Sequence, residues 1–132
     1  MSYLTEISKP KIKAPIISIL GSPGTGKSTL AGLFPNPIFI QTDNNSETVF
    51  NNWPEELQPS FLPKLPKPNK KNGTEPSEIL LAYLRELADM SAHNFKTLVF
   101  DTSTSLNLLL EEEVVEFDTM GASNIADCAG GF

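Results

Sequence analysis

The sequence predicts an α/β domain built on a parallel sheet. Three observations predict it. Short apolar, β-branched runs alternate with helical patterns along the chain, the order that βαβ units require. A glycine-rich stretch, "GSPGTGKST" (21–29), stands between the first apolar run and the first helical pattern. A later apolar run, "TLVFD", ends in an acid, Asp101. The 132 residues suffice for one small domain with one core.

Taken in order, residues 1–14 read as a polar N-terminal arm with Lys9, Lys11 and Lys13, and residues 15–132 as the domain. "PIISIL" (15–20) suits a buried parallel strand. A helix is expected from Lys27 to about Leu33, stopped before Pro35. "NPIFIQTD" (36–43) reads as a second strand. Pro54, Pro59, Pro63, Pro66 and Pro68 exclude a long helix over 44–73, though a short strand near Ser60–Leu62 fits. The Pro/Lys-rich loop at about 54–73 carries Lys64, Lys67, Lys70 and Lys71. It reads as a solvated linker, with a basic nucleic-acid contact strip as the alternative.

"EPSEILLAYLRELADMSA" (75–92) has Leu80, Leu84, Leu87 and Met90 at helical spacing, and Pro76 fits the helix start. "KTLVFD" (96–101) reads as a third buried strand. "TSLNLLLEEEVVEF" (104–117) gives another amphipathic helix, its stripe formed by Leu106, Leu110, Val114 and Phe117. The run "EEE" (111–113) is then a solvated face. Residues 118–132 read as loop. His93 is expected to cap the helix before it, and Trp53 to anchor a satellite core. Three strands are few for such a sheet, and "AGGF" closes no element, so the domain is expected to be cut short at its C-terminus.

Composition narrows the function classes. No run of 18 apolar residues is present, so no membrane helix is expected, and the first 15 residues lack the apolar core of a signal peptide. Cys128 is the lone cysteine and has no internal disulfide partner, which together with the missing leader predicts a cytoplasmic setting. The net charge is −6, placed unevenly. Residues 1–100 hold ten Lys/Arg against nine Asp/Glu; residues 101–132 hold seven acids and no Lys or Arg. The chain offers no overall basic face of the kind nucleic-acid binders carry.

The glycine-rich stretch matches G-x-x-x-x-G-K-[ST] through Gly21, Ser22, Pro23, Gly24, Thr25, Gly26, Lys27 and Ser28. Glycines let the backbone approach phosphate oxygens, and successive N–H groups form an anion nest. The following helix adds its positive end. Lys27 can reach the β- and γ-phosphates of ATP, Ser28 can ligate Mg²⁺, and Thr29 can approach the α-phosphate. Asp101 lies 74 residues after Lys27 and reads as the second Walker element, a carboxylate beside the phosphate loop that holds Mg²⁺. Thr102 follows it rather than Glu, so the acid that orients the attacking water must come from elsewhere. Asp43 at the end of the second strand is the first candidate, Glu47 the second, and a turn-capping role for Asp43 is the alternative.

"GSPGTGKSTLAGLFPNPIFIQTD" and "FKTLVFDTSTSLNLLLEE" resemble the phage-encoded P-loop ATPases of the RecA-like class, over roughly residues 14–132. The resemblance implies a three-layer, RecA-like P-loop NTPase core that binds ATP with Mg²⁺. In members linked to single-strand annealing and recombination it also implies work on single-stranded DNA or with a single-strand-binding protein. The full-length form is expected to be a homo-oligomer. It carries the phosphate loop to Gly21–Thr29 and the Walker Asp to Asp101. The family's second strand ends in Asp-x-Glu, where this chain has Gln41-Thr42-Asp43. The departure bears on hydrolysis, not on nucleotide binding. Two rival functions are a nucleotide-dependent switch or loader that does not hydrolyse, and a small P-loop kinase. The single arginine, Arg85, argues against the arginine-rich lid a kinase needs.

Overall fold

In β1 (Pro37–Gln41) all five residues are buried. A strand covered on both faces needs no polar alternation, and "PIFIQ" has none until its last residue. The computed structural model describes residues 3–42, 46–118, 121 and 123–130. Around β1 the chain order is α1 (Lys27–Gly32), β1, β2 (Ser60–Phe61), α2 (Pro76–Ala88), β3 (Thr97–Asp101) and α3 (Ser103–Phe117). The three strands form one parallel sheet in the order β2-β1-β3. Short 3-10 turns occur at Tyr3–Glu6, Glu47–Phe50, Glu55–Leu57 and Ile125–Gly130, the last lying on α3.

Neighbouring residues of a strand leave opposite faces. Phe39 packs with Ala31 of α1 and with Phe50, whose ring also meets Trp53 edge-on at 4.8 Å. Trp53 thus anchors a small aromatic cluster, as the sequence predicts. Ile40 packs with Leu65, with Leu109 of α3, and with Ile79, Leu80 and Leu84 of α2. The sheet therefore has α1 and the 47–50 turn on one side and α2 and α3 on the other.

Several sequence expectations need correction. Residues 15–20 form no strand: Ile16 is 99% exposed, and only Ile19 leans on the Phe39 cluster. They have no ladder partner among the described residues: both edges of β1 are taken by β2 and β3, and the outer edge of β3 is left unpaired. β3 is not buried on both faces. Val99 joins the Phe39 cluster, while Leu98 and Phe100 stay exposed.

α2 ends at Ala88, short of Met90, which lies exposed beyond it. The Asp89 carboxylate accepts bonds from Ser91 Oγ (2.6 Å) and Ser91 N–H (3.1 Å), which turn the chain away from the helix. Those two bonds, the side-chain one first, together with the nearby His93, hold the Asp89 carboxyl below its ordinary pKa. His93 caps α2 as expected. Its Nδ1 accepts from Phe95 N–H (3.2 Å), which leaves Nε2–H to donate to Leu87 O at 2.8 Å.

The inward stripe of α3 is Leu106, Leu109 and Glu113 rather than Leu106, Leu110, Val114 and Phe117. Glu113 is 8% exposed, so "EEE" is not a solvated face throughout. Its carboxylate accepts from Ser77 N–H (2.9 Å) and Ser77 Oγ (2.6 Å). It thereby satisfies first-turn donors of α2 that have no partner within the helix. The Pro/Lys-rich segment is not a free linker either. Its Leu65 is buried against Ile40 and Leu109, its Lys67 Nζ pairs with Glu112 at 3.1 Å, and Glu116 accepts from its Lys70 N–H.

Candidate functional site

The loop between residues 20 and 27 turns on Gly24 and Gly26, whose φ angles of 80° and 89° only glycine adopts without strain. Thr25 Oγ donates to Ser22 O at 2.7 Å and tightens the turn. The Lys27 ammonium folds back over the loop, donating to Gly21 O (2.7 Å) and Ser22 O (2.9 Å). α1 then begins at Lys27, with Gly26 O accepting from Leu30 N–H at 2.9 Å. Gly21 to Gly26 are exposed, and Lys27, Ser28 and Thr29 are half-buried beneath them. The result is an open, glycine-rich turn with one cation at its rim, held by the loop's own carbonyls.

The sheet brings the second part. Register partners in a parallel pair leave the sheet on the same face, and Gln41 of β1 is paired with Asp101 of β3. Two residues earlier the same face carries Phe39 and Val99, which pack against α1. The apolar face thus turns polar at its carboxyl end. Asp101 is 8% exposed there, and Ser28 Oγ of α1 donates to its Oδ2 at 2.6 Å. Thr102 closes the strand by capping α3, its hydroxyl accepting from Ser105 N–H at 3.1 Å.

Gln41 is 5% exposed and donates through Nε2 to Glu47 Oε1 at 2.6 Å. Gln41 Oε1 and the neighbouring Thr42 Oγ are buried without a hydrogen-bond partner among the described residues. Asp43, the first sequence candidate for orienting water, lies outside the described residues. So the structure joins Lys27 to the carbonyls of its own loop and Ser28 to Asp101, the two residues the motifs assign to one cation. It adds a Gln41–Glu47 pair that the sequence reading did not connect. The available signal was Gln41 itself, a polar side chain closing the face that buries Phe39.

A parallel α/β sheet, a glycine-rich loop with its lysine, and a hydroxyl bound to a strand-end carboxylate are consistent with a P-loop NTPase-like domain. The family profile described as "AAA domain" matches residues 13–127. The chain belongs to this family of AAA-type P-loop ATPases, and nucleotide binding goes with that membership. No curated protein and no solved structure gives a significant match. Among the described residues, no helix is long and apolar enough to cross a membrane.

Proposed function

We propose that this chain binds ATP with Mg²⁺ and hydrolyses it. The observation that carries the reading is the 2.6 Å bond between Ser28 and Asp101, 73 residues apart in sequence. A hydroxyl and a carboxylate are hard oxygen donors, and Mg²⁺ takes one or two such protein ligands while keeping several waters. Ser28 and Asp101 would hold the cation; when bound, it neutralises charge on the transferred phosphoryl group. The loop amides of residues 21–29 would cradle the phosphates. Lys27 would donate to phosphate oxygens in exchange for the carbonyls of Gly21 and Ser22, two neutral acceptors for charged ones. An acid near the carboxyl end of β1 completes the site, and the sequence offers two candidates, Asp43 and Glu47. Catalysis of this kind is positioning and charge neutralisation, without a covalent intermediate.

The setting we propose is phage DNA recombination or single-strand annealing in the host cytoplasm. Single-stranded DNA or its binding protein would be the partner, and the full-length form a homo-oligomer. This rests on the resemblance of the two Walker segments. The Pro/Lys-rich segment lends it little support, because Lys67 is matched by Glu112.

Mg²⁺-ATP binding and phosphate release, measured with and without single-stranded DNA, test the reading. Lys27→Ala removes charge-assisted bonds and is expected to weaken binding about 10–100-fold. Asp101→Asn is expected to lower turnover about 100-fold, as the loss of a few kcal/mol of charge stabilisation requires. Binding without turnover in the unsubstituted chain would mark a nucleotide switch instead. Phosphate transfer to an acceptor other than water would mark a kinase.

A further inference from the structure

The ATPase reading calls for an acid that orients the attacking water. The geometry points to Glu47 for that role, with Gln41 as its positioning residue. This inference rests on the ATPase reading and deepens it.

Four side chains connect to the carboxyl end of one sheet face. Ser28 is bonded to Asp101, Asp101 is the register partner of Gln41, and Gln41 is bonded to Glu47. Gln41 and Asp101 are both buried, whereas Glu47 is exposed at the start of the 47–50 turn. A carboxamide takes no proton at neutral pH, so Gln41 is not a base. Its neutrality matters for a different reason. A second carboxylate at position 41 would repel that of Asp101 across adjacent strands. With glutamine there, the acid is carried instead on the turn, held by a 2.6 Å charge-assisted bond. That bond occupies Glu47 Oε1; Oε2 makes no hydrogen bond among the described residues and is the oxygen placed to accept from water. The far end of the turn is fixed as well, since Phe50 is buried against Phe39 with ring centroids 5.6 Å apart. Gln41 and Phe50 together hold Glu47 on the α1 side of the sheet, the side from which Ser28 reaches Asp101.

In the hydrolytic step the water oxygen bonds to the γ-phosphorus as the bond from that phosphorus to the β–γ bridging oxygen breaks. ADP leaves with the electron pair of the broken bond. The water proton passes to Glu47 Oε2 and from there to solvent. Gln41 touches neither water nor phosphate; it acts by holding the carboxylate.

The test uses the full chain and two readouts, steady-state ATP hydrolysis and binding of a non-hydrolysable ATP analogue with Mg²⁺. Glu47→Gln keeps a group that bonds Gln41. It is expected to lower kcat about 100-fold or more while analogue binding stays within about twofold. Glu47→Asp should recover part of that loss, which a merely structural role for the side chain would not produce. Gln41→Ala should lower kcat about 10-fold with KM little changed, the pattern of a lost positioning contact. If Glu47→Gln turns over normally, the assignment is overturned, and a dead Asp43→Asn would then give the role to Asp43. If the unsubstituted chain binds the analogue but releases no phosphate, or binds nothing, the ATPase reading fails and this assignment fails with it.

Discussion

In β1 Phe39 is completely buried and Ile40 nearly so; in residues 15–20 Ile16 and Leu20 are almost fully exposed. The two stretches, "PIFIQ" and "PIISIL", have nearly the same composition and both begin with proline. What differs is the company. β1 has a strand on each edge, an aromatic cluster under Phe39 and two helices over Ile40. Residues 15–20 have no ladder partner among the described residues and touch the core through Ile19 alone. An apolar β-branched run is a demand for cover, and it becomes a strand where the rest of the chain supplies both hydrogen bonds and a lid.

The sharpest way to test that contrast is to empty the covered side. Phe39→Ala removes a fully buried ring that contacts Phe50 and Phe61. The surroundings, held by α1 and the 47–50 turn, relax only in part, so the expected loss is about 3–5 kcal/mol in urea unfolding. A loss below about 1 kcal/mol would mean that β1 is not the centre of the core.

How far the sequence could foresee all this follows from where each feature gets its shape. The phosphate loop was legible because nine consecutive residues, Gly21 to Thr29, determine it. β1, β3, α2 and α3 were legible because their periods are local. Ser28 and Asp101 lie far apart, but each belongs to its own recognisable motif, and their 2.6 Å contact joins the start of α1 to the end of β3. The Gln41–Glu47 bond was not legible. It depends on where the 47–50 turn folds back, which Phe50 decides by packing on Phe39. The position of Glu113 was half legible. It continues the Leu106, Leu109 spacing, yet glutamate reads as surface until a partner such as Ser77 is in place. Nothing in "PIISIL" itself distinguishes a strand with a partner from one without.

Glu113 offers the middle-sized test, because it is the acid that received cover. Glu113→Ala leaves Ser77 N–H and Ser77 Oγ without their acceptor under α3. Leaving a partly buried donor unpaired costs about 1–3 kcal/mol, and the loss should appear in urea unfolding. Glu113→Gln retains one acceptor oxygen and should recover part of it. Equal losses in both variants would mean that the charge, rather than the hydrogen bonds, holds α2 to α3.

The smallest effect is expected at the other end of the comparison. Ile16 is 99% exposed, so Ile16→Ser removes no buried surface and should change stability by no more than about 0.5 kcal/mol. Ile19→Ser is the control within the same stretch, because Ile19 leans on the cluster of Ala31, Phe39 and Phe50. It should cost more, on the order of 1 kcal/mol for a half-buried side chain. If Ile16→Ser instead costs about 1.5 kcal/mol or more, as a fully buried isoleucine would, the stretch is covered in solution. β3 is the element such a stretch would meet, since it pairs with β1 alone and leaves Leu98 and Phe100 exposed. The contrast between the two runs would then be one of order of assembly rather than of company.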